Sequence, residues 1–131
     1  MKTRTIFGAA ALLAGSGYLF WPAGEQASQS AGTTIGDALA EVTVPEVFSE
    51  NAQIGERAYT AHCAACHGAN AAGQDGIAPP LVHVIYEPNH HGDESFQRAA
   101  AVGVQSHHWR FGNMPPVEGI TRGDVTLIVA Y

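Results

Sequence analysis

The sequence predicts a small all-α domain of three main helices, preceded by a signal or anchor segment and a linker. Three amphipathic segments with helix-start signals carry this prediction; they begin after Ser49, near Asp93 and at Thr121. No convincing alternating strand accompanies them. The best strand candidate, residues 81–86, is short and has a proline just outside it on either side.

The charge and composition of the chain limit its partners. The 131 residues include six basic and twelve acidic side chains, which gives a formal net charge of -6. No basic patch is available to neutralise phosphates, so we expect no nucleic-acid partner and favour a basic or neutral docking partner. Ala and Gly are abundant and large apolar side chains are few, so a bound cofactor would help to fill a thin core.

The N-terminal segment has the layout of a secretory signal. Lys2 and Arg4 precede an apolar, uncharged stretch at residues 6–21. We predict that residues 1–24 are a signal peptide or a membrane anchor, with attachment through residues 5–21 in the second case. The absence of a clean cleavage site after Trp21 slightly favours a retained anchor, although the stretch is shorter than the ~20 residues of a full span.

Export follows from either interpretation, so we predict a periplasmic or otherwise exported protein. Residues 25–45 are mostly small and polar and show no apolar period, which indicates a flexible linker. The compact domain is then expected over residues 46–131.

The first two helices have recognisable starts. Ser49 is a suitable N-cap for a helix that runs through Ile54 and Tyr59 into the cysteine motif. Asp93 is the expected cap of the second helix, and Glu94 suits the positive end of its dipole. The apolar face predicted for this second helix consists of Phe96, Ala99, Ala100 and Gly103.

The third helix starts with a pattern close to a capping box. Thr121 is followed three residues later by Asp124, whose carboxylate can reach back to the Thr121 backbone. Its apolar side is predicted to contain Val125, Ile128, Val129 and Tyr131. No Gly, Asn or Pro closes this helix, so we expect it to be cut short at Tyr131.

The only two cysteines stand in the pentapeptide CAACH. Cys63, Cys66 and His67 are spaced i, i+3 and i+4, which places them on one helical face. A structural zinc site usually needs four ligands, and a thioredoxin-like pair needs a βαβ context that is missing. C-x-x-C-H is the haem attachment signature, in which the sulfurs form thioethers with the vinyl groups and the imidazole reaches the iron.

A distant methionine supplies a candidate for the other face of the haem. Apart from Met1, the only methionine is Met114, in the stretch FGNMPPVEG. Pro115 biases Met114 away from the α region, so we predict an extended loop that presents its thioether to the iron. The alternative, a methionine that fills a helical core position, conflicts with the flanking prolines and glycine.

These motifs, in this order, resemble the class I c-type cytochromes over residues 55–131. Gly55 and Tyr59 match the Gly-x-x-x-aromatic pattern of the family's first helix. GNMPP matches the distal methionine loop, and the last helix with Tyr131 matches the closing helix, whose aromatic residue packs across the first helix at the glycine. The resemblance implies the family's fold, with three main helices around one haem.

The resemblance also implies roles for single residues. APPL is similar to the family's Gly-Pro-x-Leu, with Ala78 as a departure, which makes Pro79 the carbonyl acceptor for the proximal histidine. One covalent haem c attached through the two cysteines, with His67 and Met114 as metal ligands, is implied. Trp109 and Arg110 lie where the family often places donors to the haem propionates. An ordinary buried Trp with a solvated Arg remains the alternative for that pair.

The implied function is one-electron transfer between redox partner proteins by a monomer that is not an enzyme. One alternative is a haem enzyme or gas sensor in which Met114 dissociates and leaves an open iron. The other is a metal-handling protein that uses the histidine pairs.

Two histidine pairs flank the second helix, and further histidines occur at His62 and His83. The first pair is His90 and His91, and the second is His107 and His108. A straight helix of roughly 18 Å between them would keep the pairs at opposite ends, unless the loops fold back. We therefore expect no tight second metal site, with copper or zinc binding left as the alternative.

Overall fold

The computed structural model describes residues 34–131, which belong to one compact unit. The predicted signal or anchor segment and the first part of the linker lie outside this range. Within it the chain is helical and has no β-strand, which confirms the predicted all-α class. The helices are α1 (Glu50–His62), α2 (Ala64–His67), α3 (Pro88–His91), α4 (Asp93–Val102) and α5 (Arg122–Ala130), with 3-10 turns at Ala69–Ala71 and Val84–Tyr86.

The start of α1 is the one predicted from the sequence. The Ser49 hydroxyl accepts a hydrogen bond from the Ala52 backbone N–H at 3.2 Å. The buried face of the helix contains Ala52, Gly55 and Tyr59, whereas Ile54 is 37% exposed. The helix thus buries two small residues and Tyr59, and Ile54 lies outside that buried face.

The capping prediction for α4 was wrong. The N-cap is Gly92 and no side chain caps the helix, so Asp93 lies in the first turn instead. Gln97 is buried beside Ala100, and its amide donates to the Arg122 carbonyl at 3.0 Å and to the Thr126 hydroxyl at 3.2 Å. A glutamine thus joins α4 to α5 on a face that was predicted to be apolar.

The capping box of α5 is present in both directions. The Asp124 backbone N–H donates to the Thr121 hydroxyl at 3.2 Å, and the Thr121 N–H donates to the Asp124 carboxylate at 2.9 Å. Hydrogen bonding in both directions satisfies two backbone donors that a helix start otherwise leaves free.

The crossing of α1 and α5 brings two backbones into contact. A Cβ atom at Gly55 would lie 1.9 Å from the carbonyl oxygen of Leu127, so only a glycine fits there. Tyr131 packs beside this crossing, with its ring centroid 5.5 Å from that of Tyr59 and 5.3 Å from that of Phe48. This is the arrangement that the family resemblance implied for the glycine and the last aromatic residue.

Part of the predicted linker is attached to the domain. The Gly36 N–H donates to the Asp75 carbonyl at 2.9 Å, and the N–H groups of Leu39 and Ala40 donate to the Ala72 carbonyl at 3.1 and 3.0 Å. Three residues before α1 are thereby tied to the loop after α2, which the small and polar composition did not predict. Within the described range, no helix combines the length and apolar character required to cross a bilayer.

The two histidine pairs meet, so the expectation that they lie at opposite ends of α4 was wrong. The Nε2 atoms of His90 and His108 are 3.2 Å apart. The 10-residue α4 is about 15 Å long at 1.5 Å per residue. The six residues that lead from Val102 to His108 can span about 20 Å when extended, so the loop is long enough to return to α3.

Gly55→Ala is predicted to destabilise the haem-loaded protein by about 1–3 kcal/mol or more, because α5 must move away from the new methyl group. The matched control is Gly123→Ala within α5, where the added Cβ would meet only the Thr121 hydroxyl at 3.6 Å. Thermal unfolding of both variants tests this. Equal unfolding temperatures for the two would contradict the close contact between α1 and α5.

Candidate functional site

The cysteine motif forms one tight helical turn. Cys63 ends α1, with its N–H donating to the Tyr59 carbonyl at 2.8 Å, and α2 follows at once. The His67 N–H returns to the Cys63 carbonyl at 2.9 Å. Both cysteines are free; Cys63 is half-buried and Cys66 is exposed. The thiols and the imidazole therefore have the i, i+3, i+4 relation that haem attachment requires.

His67 is held as a neutral, oriented imidazole. It is only 7% exposed, and its Nδ1–H donates to the Pro79 carbonyl at 2.8 Å. Burial lowers the pKa of His67, and the hydrogen bond to Pro79 opposes this only in part. The Nε2 lone pair is left for a metal, in the arrangement that fixes the ring of a ligating histidine.

The turn after the motif brings Pro79 back to His67. Asn70 and Ala71 have φ values of 53° and 58°, in the left-handed region. The Gly73 N–H donates to the His67 carbonyl at 2.8 Å, and the Leu81 N–H donates to the Ala71 carbonyl at 2.8 Å. These two bonds hold the segment around Pro79 beside the end of the motif.

Two side chains hold the motif from outside. The Gln74 amide donates to the carbonyls of Ala65 and Cys66 at 3.0 Å each, and so satisfies the end of α2. The buried Tyr59 hydroxyl donates to the Gly68 carbonyl at 2.6 Å, and burial is the main cause of its raised pKa. Gln74 was not predicted as a site residue, since no local pattern marks a glutamine as a cap for a preceding helix.

The environment of the cysteines does not favour a dithiol redox pair. Burial, followed by the nearby Cys66, raises the pKa of the Cys63 thiol. Catalytic CxxC pairs depend on a thiolate whose pKa is lowered by its surroundings. The site therefore differs from a thioredoxin-like centre in its electrostatics as well as in its fold.

Met114 lies in an extended loop, as predicted. It exchanges two backbone hydrogen bonds with Val104, at 2.9 and 3.0 Å, and its side chain is half-buried. Gly103, the C-cap of α4, has φ +75°, and a Cβ there would lie 2.4 Å from the Met114 carbonyl oxygen. Only glycine fits at this position. The close contact there fixes the course of the methionine loop past the end of α4.

Trp109 has a hydrogen-bond partner within the protein. Its indole N–H donates to the Tyr86 hydroxyl at 3.3 Å, and its ring lies against His83 and Phe111. Tyr86 was not among the predicted site residues. Arg110 is exposed. A propionate contact from Trp109 or Arg110 remains a prediction.

An open cleft of about 760 Å³ lies beside the motif. Its lining includes Tyr59, Ala71 and Leu81, but neither cysteine and neither predicted metal ligand. The site is therefore defined by its ligand-bearing residues, and the cleft contributes apolar surface next to them.

These residues fit a covalently attached haem. Two free thiols and a neutral imidazole share one turn, and a thioether stands on a separate loop; this donor set together with an all-α fold defines a c-type haem protein. When bound, the haem supplies an iron that alternates between the ferric and ferrous states.

Comparison with known families supports this assignment. The family model described as Cytochrome c matches residues 52–131, which is more than half of the chain. The chain therefore belongs to the cytochrome c family and is a haem-binding electron-transfer protein. Members of this family bind haem c and are typically electron carriers with redox partners. No curated protein gave a significant match.

Haem should stay attached when the protein, produced in a host with haem-attachment machinery, is denatured and extracted with acidic acetone. Serine at Cys63 or Cys66 is expected to leave a single thioether or no holoprotein, because each thiol supplies one of the two bonds. Ala65→Ser, at an exposed position of the same turn, is the matched control and should retain both bonds. Free release of haem from the unaltered protein would contradict the assignment.

Proposed function

We propose that this protein is a single-haem electron carrier with His67 and Met114 as axial ligands. It passes one electron at a time between redox partners outside the cytoplasm and is not an enzyme. The observation that carries the proposal is the buried His67 ring, whose Nδ1–H is committed to the Pro79 carbonyl at 2.8 Å. With a methionine on the other side, both axial positions are filled and no open position remains for a substrate.

The case for Met114 rests on its loop. The pairing with Val104 and the close approach to Gly103 hold its backbone in place at the end of α4. A preset backbone lowers the conformational cost of bringing the thioether to the iron. A thioether ligand raises the reduction potential, which suits a carrier that must be readily reduced.

The surface charge supports a basic or neutral partner. The excess of acidic residues, with a net charge of -6, favours the approach of a partner with the opposite sign. We further propose that the protein acts as a monomer.

Met114→Ala should lower the reduction potential and allow the ferrous haem to bind carbon monoxide, because it removes the proposed sixth ligand. Val102→Ala is the control, since Val102 is 67% exposed and lies near the same loop without offering a ligand. Potentiometric titration and optical titration with carbon monoxide measure the two effects.

Unchanged spectra in both oxidation states of Met114→Ala would mean that the sixth ligand lies elsewhere. Ready binding of carbon monoxide by the unaltered protein would instead favour an enzyme or a gas sensor. Capture of the iron by a neighbouring histidine is distinguishable, because it lowers the potential without opening the site.

We also propose export, with residues 1–24 retained as an anchor and not cleaved. Membrane fractionation followed by intact-mass measurement checks this. The expected result is a membrane-associated holoprotein of full mass. A soluble mature protein that starts near Glu25 would refute the anchor but keep the export, and a cytoplasmic protein of full length would refute both.

A further inference from the structure

Four histidines from two separate segments meet at the surface of the domain. His90 and His91 end α3, while His107 and His108 lie in the loop between α4 and Met114. The Nε2 atoms of His90 and His108 are 3.2 Å apart, and those of His91 and His107 are 3.5 Å apart. We call this group the histidine cluster.

The tautomers of two members can be read from their partners. The His91 Nδ1 lies 2.9 Å from the Ile85 carbonyl oxygen, and the His107 Nδ1 lies 2.8 Å from the Gln105 carbonyl oxygen. A carbonyl only accepts, so each Nδ1 carries the proton and each neutral ring has its lone pair on Nε2.

Those two lone pairs point towards each other across 3.5 Å. Neutral rings in these tautomers cannot hydrogen bond to one another, because neither Nε2 has a proton to give. A cation between the rings would satisfy both lone pairs. An Nδ1–H bound to a backbone carbonyl is also the usual support behind a metal-ligating histidine.

The spacing suits one metal ion. A tetrahedral site with metal–nitrogen bonds of about 2.0–2.1 Å has nitrogen atoms about 3.3 Å apart. The observed pairs, at 3.2 and 3.5 Å, lie on either side of that value. One ligand atom from each of His90, His91 and His108 lies within 4.8 Å of the others. Asp93, the carboxylate beside the first pair, and His107 are not part of this group.

We propose that the histidine cluster binds one divalent transition-metal ion of the kind that prefers imidazole, with Zn²⁺ as the geometric match. His90, His91 and His108 supply three ligands. His107 lies outside that group, and its Nε2 atom, 3.5 Å from that of His91, is a further imidazole nitrogen beside it. Imidazole nitrogen is a favoured ligand for Zn²⁺ and Cu²⁺. Three of the four rings are exposed, so the ion can enter from solution.

The ion would connect α3 to the loop that leads to Met114. Only five residues separate His108 from Met114 along the chain, and the Ser106 N–H already donates to the Asn113 side chain at 2.9 Å. Binding to the folded state alone adds stability by mass action. Metal binding by the histidine cluster does not depend on the proposed electron-carrier function.

The test is calorimetric titration of the haem-loaded full-length protein with Zn²⁺, after purification without a polyhistidine tag and treatment with a chelator. We expect one equivalent of Zn²⁺ per chain and a rise in the thermal unfolding temperature. The double variant His90→Ala, His108→Ala should bind at least ~10-fold more weakly, since loss of a mere supporting group in a metal site already costs 10–100-fold.

His62→Ala is the matched control, because His62 is exposed and lies at the end of α1, outside the histidine cluster. It should keep the full affinity and stoichiometry. The haem spectrum of each variant reports whether the fold around the haem is intact. Absence of binding, equal affinity in the double variant, or half an equivalent with a dimer on size exclusion would each overturn the proposal.

Discussion

A buried imidazole needs an acceptor for one nitrogen before the other can serve a metal, and this requirement shapes the chain from His67 to Pro79. The ring is 7% exposed, so water cannot supply that acceptor at little cost. The Pro79 carbonyl supplies it at 2.8 Å, twelve residues further along. Asn70 and Ala71 adopt left-handed conformations in the turn that brings this carbonyl back to the ring.

The helical framework is connected to the same turn by a few specific bonds. The contact of α1 with α5 at Gly55 fixes where α1 lies, and the Tyr59 hydroxyl then reaches the Gly68 carbonyl just after the motif. Gln74 secures the opposite side of α2 through the Ala65 and Cys66 carbonyls. The attachment turn is therefore supported from the helices and from its own loop, while a single-turn helix such as α2 would not be stable alone.

The features that the sequence predicts well depend on neighbours within one helical turn or on a fixed backbone preference. The i, i+3, i+4 spacing of the cysteine motif, the Thr121–Asp124 capping box and the extended backbone at Met114 before Pro115 are of this kind. The family resemblance also predicted the Pro79 acceptor and the helix contact at Gly55, which no local sequence rule indicates.

The features that were missed depend on the path of loops in three dimensions. Gln97 is buried because α5 offers it two acceptors, and the residues next to Gln97 in the sequence do not indicate this. The histidine pairs were expected to be separated by the length of a helix. That estimate considered α4 alone and left out the reach of the loop that follows it, which is comparable to the length of the helix.

The loop between α4 and α5 contains residues of both proposed sites, the haem iron site and the histidine cluster. At one end Met114 is paired with Val104, next to the C-terminus of α4, and in the middle His107 and His108 meet the end of α3. Fixing the middle of a loop reduces the conformations open to its remaining residues, so the free-energy cost of ordering Met114 falls. Occupancy of the histidine cluster and retention of the methionine ligand should accordingly favour each other, since thermodynamic coupling between two sites is reciprocal. A metal ion in the histidine cluster would then influence the haem without direct contact, because both sites depend on the order of the same loop.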